Sequence, residues 1–147
     1  MKIAKSAEQA CSILAVIAEH HGQPVTGNEL NERLGVSSTY LAKIARKLVM
    51  GGIINSAQGV NGGFVLAKPM NTITLRAVVE ITEGTEPMFT SNGTIERVFL
   101  GRKLAARRGL RALTLSFASA ERAWWHELSK ITMEDLITSS LKGDDNA

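Results

Sequence analysis

A mainly α chain with one small β hairpin, an α+β fold of the helix-rich kind, is what this 147-residue sequence predicts. Three observations predict it. Apolar residues recur at helical spacing through most of the length. Two short, capped helices follow one another across a glycine turn, and a single strand–turn–strand unit comes directly after them. The length suits one ordinary domain plus an appended element. A composition of 44% hydrophobic and 21% charged residues supports a normal core and argues against global disorder.

The first helix is expected over Ser6 to His20. Ala7, Ala10, Cys11, Leu14, Ile17 and Ala18 form its stripe, Glu8, Ser12 and Glu19 lie off it, and Gly22 and Pro24 end it. Thr26-Gly27-Asn28-Glu29 has the spacing of a capping box, in which hydroxyl and carboxylate satisfy each other's orphan backbone donors. A short helix then runs through Leu30 and Leu34 to Gly35. Only Val36 separates that stop from Ser37, the N-cap of a third helix that buries Leu41, Ile44, Ala45 and Leu48 and stops at Gly51-Gly52. Two short helices joined this way are the sequence image of a helix-turn-helix. Residues 53–58 and 64–67 read as strands, with Gly59-Val60-Asn61-Gly62-Gly63 turning the chain between them. A hairpin in this position is a wing.

After Pro69, a helix from Leu75 to Glu83 presents Val78, Val79 and Ile81 and stops at Gly84. The remainder reads as helix interrupted at Gly101 and Gly109. Its best segment, Ser119 to Lys130, starts an apolar stripe of Ala120, Ala123, Trp124, Leu128 and Ile131. Thr132-Met133-Glu134-Asp135 starts a last short helix through Leu136 and Leu141. The expected organisation is a winged helix-turn-helix domain over 1–83, a linker loop over 84–93, a helical dimerisation or effector region over 94–142 and a frayed tail over 143–147.

Several function classes are argued against. No run approaches the ~18 apolar residues of a membrane span, and Met1-Lys2-Ile3-Ala4-Lys5 is followed by the acidic and polar Glu8 and Gln9 with no small-residue cleavage site, so a signal peptide is not expected. One cysteine, Cys11, gives no internal disulfide framework, no Cys-rich zinc site and no four-thiolate cluster, so the expected compartment is the cytoplasm. The stripe position of Cys11 reads as a buried small hydrophobe. His20, His21 and His126 have no metal-ligand spacing with acids or Cys11. No phosphate loop or nucleophile–base set stands out, so neither enzyme nor cofactor is expected.

The net charge of +3 and a pI near 9.2 are compatible with a nucleic-acid partner without demanding one. The distribution is more telling. Burying the apolar stripe of the third helix leaves Ser38, Thr39, Ala42, Lys43, Arg46 and Lys47 outward. Ser38 and Thr39, near the helix start, are candidates for base edges in double-stranded DNA, and Lys43, Arg46 and Lys47 for phosphates. Tyr40 borders the buried stripe, its hydroxyl within range of a phosphate. In the wing, Gln58 and Asn61 can hydrogen-bond in a minor groove that a glycine-rich tip approaches closely. The alternatives are a solvated basic face and an ordinary hairpin turn. Six cations between residues 94 and 111 (Arg97, Arg102, Lys103, Arg107, Arg108 and Arg111) face one acid, Glu96; DNA flanks, an anionic effector, acid partners and a solvated face all stay open.

Taken in order, Ser37-Ser38-Thr39-Tyr40-Leu41-Ala42-Lys43-Ile44, Lys47-Leu48, Gly59-Val60-Asn61-Gly62-Gly63-Phe64-Val65-Leu66-Ala67-Lys68-Pro69 and Ile73-Thr74-Leu75-Arg76-Ala77-Val78-Val79 resemble the bacterial Rrf-two family of winged-helix transcription regulators. The resemblance covers roughly 1–83 and again Ser119–Leu136, and the Gly-Gly-Phe of the wing is its most specific part. It implies homodimers that grip a partly palindromic operator, usually as repressors, with a long C-terminal helix as the dimer contact. Trp124, Leu128 and Ile131 are the expected interface residues. An effector, small-molecule or redox, is left unidentified. This sequence departs from the family pattern at Gln58, where an Arg is frequent, and at Ala42, where a Glu is frequent. It also lacks the three cysteines that cluster-binding members keep in the stretch matching 84–110. An iron–sulfur cluster is therefore not expected, and the operator should differ. The competing reading is a winged-helix protein-interaction module that has lost sequence-specific DNA binding.

Overall fold

A computed structural model describes residues 3–142; the expected frayed tail at 143–147 lies outside the described residues. The chain forms two compact units. One is Thr85–Glu127, and the other holds the described residues before and after that stretch. The stretch 94–142 is thereby divided between the units at Glu127/Leu128.

The larger unit is built on α1 (Lys5–Glu19), α2 (Gly27–Leu34) and α3 (Ser38–Met50). The stripe of α1 buries Ala7, Ala10, Ile13, Leu14, Val16 and Ile17, while α3 buries Leu41, Ile44, Ala45 and Leu48. Each fully buried Leu or Ile contributes on the order of 2 kcal/mol from removal of apolar surface. Gly35 closes α2 in the left-handed region (φ 64°, ψ 31°), where a β-carbon is strained, and this sets the tight turn into α3. Ser37 Oγ then accepts from the Tyr40 amide at 3.3 Å to cap α3.

Of the capping box expected at α2, one half forms. Thr26 Oγ1 accepts from the Glu29 amide at 3.2 Å. The Glu29 carboxylate instead meets His20 Nε2 at 2.8 Å, while His20 Nδ1 lies 2.8 Å from the Val16 carbonyl. Together with Arg33–Glu19 at 2.8 Å, this contact ties α2 to the end of α1.

The wing is an antiparallel pair of β1 (Ile54–Ala57) and β2 (Gly63–Leu66), in register from Ile54 opposite Leu66 to Ala57 opposite Gly63. Val25 adds a bridge on the outer side of β2. Its amide donates to the Phe64 carbonyl at 3.0 Å, and the Phe64 amide donates back at 2.8 Å. Gly63 makes this approach feasible. Its φ is 143°, and a β-carbon there would lie 2.5 Å from the Val25 carbonyl oxygen.

A short 3-10 turn (Met70–Thr72) leads to α4 (Leu75–Glu83), capped by Thr74 Oγ1, which accepts from the Ala77 amide at 3.1 Å. The last helix, α7 (Met133–Leu141), carries the reciprocal capping box: Asp135 N donates to Thr132 Oγ1 at 3.1 Å, and Thr132 N donates to Asp135 Oδ2 at 2.9 Å. Its first residue, Met133, is fully buried in the same core as Leu48, Ile53 and Val78. Backbone bonds from Leu75 to Ile131 and from Met133 to Ile73, each 2.8 Å, fasten this return segment to the start of α4.

The unit Thr85–Glu127 comprises the loop after α4, α5 (Thr94–Val98) and most of α6 (Lys103–Ser129). Gly101, at φ 76°, separates the two helices as expected. Gly109 does not interrupt: it lies inside a continuous 27-residue helix, where a β-carbon would sit 3.8 Å from Ile95 and Phe99. The loop lies on α6, with the Phe89 ring stacked on Phe117 (centroids 4.8 Å, 11° between planes) and the Met88 amide donating to Glu121.

Candidate nucleic-acid interface

The second helix of a helix-turn-helix presents whatever its buried stripe leaves over. In α3 that remainder is Thr39, Ala42, Lys43, Arg46, Lys47 and Met50, lining an open groove of about 460 Å³. At 100° per residue the first four and Met50 fall within one arc of roughly 100°, opposite Leu41, Ile44, Ala45 and Leu48. Ser38, Thr39, Lys43 and Arg46 are exposed. Among the described residues, neither Lys43 nor Arg46 makes an ion pair, so both charges are available to an outside anion.

Lys47 is different. Its ammonium donates to the Thr82 carbonyl at 2.7 Å, in the last turn of α4, where unsatisfied carbonyls collect negative partial charge. The three cations expected to meet phosphates are therefore two outward charges and one that joins α3 to α4. Ser38 is also partly engaged, because its Oγ accepts from Asn31 Nδ2 at 2.9 Å. That bond spans the helix-turn-helix and leaves the Ser38 hydroxyl hydrogen for another acceptor. Tyr40 is half-buried against the core, as its place beside the stripe implies.

In the wing, Gln58 and Asn61 are exposed at the tip, as is Val60, an apolar side chain fully in solvent. Gly62 holds the tip tight, since a β-carbon there would stand 2.4 Å from the Ala57 carbonyl. Met50, 77% exposed, and Val60, fully exposed, lie outside the expected interface set. Spacing could have found Met50, which follows Arg46 by four and shares its face.

The expected dimer residues separate. Trp124 is half-buried on α6 with its ring 4.4 Å from that of Trp125, and Leu128 is half-buried in the last turn of that helix. Ile131, expected on the same helical stripe, lies beyond the helix end and gives its carbonyl to Leu75. Along α6, Ala106, Leu110, Leu113, Phe117, Ala120 and Trp124 alternate at spacings of four and three, the repeat of a helix that pairs with another. Only Ala106 of α6 is buried, and Leu104, Leu113, Leu115 and Phe117 are exposed. The same unit has an apolar cavity of about 370 Å³ beside Phe99, Leu100, Ala106 and Leu110, with Lys103 and Arg107 on its rim.

Cys11 is half-buried rather than fully buried, and burial pushes its thiol above the usual range, with Glu8 adding to the effect. A protonated, partly enclosed thiol is a poor nucleophile. Among the described residues, no group of three His, Cys, Asp or Glu side chains converges to hold a metal ion, and no helix is long and apolar enough to cross a membrane. One cysteine in the whole chain does not fit a cysteine-ligated iron–sulfur cluster.

The chain was compared with known proteins. The model of the Rrf2 family, described as iron-dependent transcriptional regulator, matches residues 3–139. YwgB of Bacillus subtilis (strain 168), which bears the name of an HTH-type transcriptional regulator, is 38% identical over 102 residues. That match covers 69% of this chain and 65% of YwgB, just under two thirds of the relative's length. YffB of Lactococcus lactis subsp. lactis (strain IL1403), similarly named, is 30% identical over 134 residues, covering 90% of this chain and 85% of its own. Among solved structures, that of CymR (YrzC), the global cysteine regulator of B. subtilis, superposes with a TM-score of 0.66 at 20% identity, covering 95% of this chain and 98% of that one. At that identity the likeness is one of fold.

Proposed function

The chain belongs to the Rrf2 (Rrf-two) family of transcriptional regulators, and from that premise we propose that it is a cytoplasmic homodimeric repressor of a partly palindromic DNA operator. The observation that carries the proposal is the outer face of α3, where the exposed Lys43 and Arg46 flank a groove with Thr39 and Ala42 toward the helix start. Cations on such a face reach phosphates, while short side chains near the N-terminal turns reach base edges. The wing, anchored through Val25 and tipped by Gln58, Val60 and Asn61, suits an adjacent minor groove.

The shape and pattern of α6 support a second copy of the chain. A helix about 40 Å long that buries a single residue of its own chain has an apolar stripe to cover. Two-fold pairing gives two copies of α3, the number that a partly palindromic operator with two half-sites calls for. Sedimentation at micromolar concentration is expected to show a dimer, and Leu113→Glu, which places a charge on the stripe, a monomer.

The family is one of regulators rather than enzymes, and iron enters no step here because the donor set does not fit a cluster. Fluorescence anisotropy of the full chain against DNA from upstream of its own gene and a scrambled duplex, at two salt concentrations, tests the proposal. A preference of about 10³-fold or more is expected. Failure to bind any duplex, including winners of selection from random DNA, would refute it. The interaction-module reading gains little from the geometry: losing Lys47 from the phosphate set still leaves two outward charges without ion-pair partners among the described residues.

A further inference from the structure

The groove on α3 has a chemistry that narrows what it can read. We infer that each operator half-site presents a thymine to Ala42, and that this contact is made methyl to methyl. The inference rests on the proposed DNA-binding function and goes one step past it, to the base.

Ala42 is exposed and lines the groove about one turn after Thr39, at the edge of the outward arc and beside Arg46, which follows it by four. Its side chain has neither donor nor acceptor. In the major groove, guanine, adenine and cytosine all present polar atoms along their edges, whereas thymine also presents the C5-methyl. A base whose polar edge faced Ala42 would lose water without gaining a hydrogen bond, which costs binding energy. Thymine instead gains a buried apolar contact.

The neighbours on the face reinforce this. Thr39 adds a γ-methyl about 4.5 Å back along the helix axis, at three residues of 1.5 Å rise each. Met50, 77% exposed, adds a further apolar side chain toward the other end of the same arc, beyond Arg46. Lys43 and Arg46, one and four residues after Ala42, have no ion-pair partner among the described residues, so they can hold the helix against phosphates while the outward methyl groups meet the base edges.

The test starts from in vitro selection of random duplex DNA with the full chain, followed by replacement of each selected thymine by deoxyuridine, which removes only the C5-methyl. One position in each half-site is expected to lose about fourfold in affinity, the worth of roughly one buried methylene-sized group. Replacing both together is expected to cost about fifteenfold. In Ala42→Gly the thymine and deoxyuridine duplexes should bind alike, a ratio that is insensitive to any overall weakening of the helix. Ala42→Gln, a good helix former with an amide that pairs with adenine, should move the selected base at that position from thymine to adenine.

Equal binding of thymine and deoxyuridine duplexes at every position would overturn the inference while leaving the regulator reading intact. Deoxyuridine sensitivity that persists in Ala42→Gly would overturn the assignment to Ala42. No enrichment of any sequence would instead defeat the proposed function itself, and this inference with it.

Discussion

Three cations lie along α3, and substitution should split them into two kinds. Lys43 and Arg46 point outward, whereas Lys47 donates to the Thr82 carbonyl at 2.7 Å. Each phosphate neutralised steepens the dependence of log K on log salt by about 0.9. In a homodimer one substitution removes two contacts, so Lys43→Ala and Arg46→Ala should each flatten the slope by about 1.8. Between 50 and 200 mM salt that is about a twelvefold smaller fall in affinity. Neither should change stability by more than about 0.5 kcal/mol, because both side chains are exposed. Lys47→Met keeps the apolar stem and removes the ammonium. A charge-assisted bond to a carbonyl contributes ~1.5 kcal/mol, toward the low end here because Lys47 is only half-buried. At an m-value of about 2 kcal/mol per molar, the urea midpoint should fall by roughly 0.7 M while the salt slope stays unchanged. Anisotropy titrations at five salt concentrations and urea unfolding followed by circular dichroism measure both quantities. A Lys47→Met protein with a slope flattened by about 1.8 and an unmoved urea midpoint would refute the reasoning, since the ammonium would then be leaving Thr82 for a phosphate.

Gly63→Ala should cost about 1–3 kcal/mol, since φ 143° is a glycine conformation and the added carbon would meet the Val25 carbonyl at 2.5 Å. Hydrogen exchange at the Val25 and Phe64 amides should then accelerate, and unchanged protection would contradict the strap seen here. Thr132→Ala removes an N-cap worth about 1 kcal/mol. It also bears on pH: the Thr132 amide, then its hydroxyl, hold the Asp135 carboxyl below the usual carboxylate range. A lowered folded-state pKa gives stability that is present above the ordinary carboxylate pKa and is lost as pH falls through the folded one. NMR titration of Thr132→Ala should show the Asp135 midpoint rising only part of the way, because the amide still donates. The acid limb of the stability curve should become shallower. Cys11, its thiol pushed up by burial, should react with a disulfide reagent more slowly than a free thiol at pH 8 and at the ordinary rate once unfolded. Fast labelling of the native chain would show the thiolate to be accessible after all.

What the sequence made legible was local. Caps at Ser37 and Thr132, the glycine stop after α2 and the four-residue apolar spacing of α3 each depend on neighbours a turn apart, so residue order alone shows the helix-turn-helix and its outer face. The bond from Lys47 was not legible, for the opposite reason: its partner lies 35 residues away, and nothing near it in the chain announces a carbonyl at the end of α4. Glu29 had two claimants, the Thr26 amide nearby and the His20 ring at the end of the preceding helix, and the ring takes it. Gly109 was read as a break because glycine costs a helix about 1 kcal/mol relative to alanine. That cost is small beside the leucines, alanines and arginines on either side of it, and the helix continues. The misreading had a consequence, because cutting α6 at Gly109 hides the alternation from Ala106 and Leu110 through Leu113, Phe117, Ala120 and Trp124, visible only in an unbroken helix. That stripe is the observation that supports the proposed second copy. A recognition face of two outward cations and a few methyl groups has little grip as a single module, and in the proposed dimer two such faces would double both the phosphate contacts and the thymines available to be read.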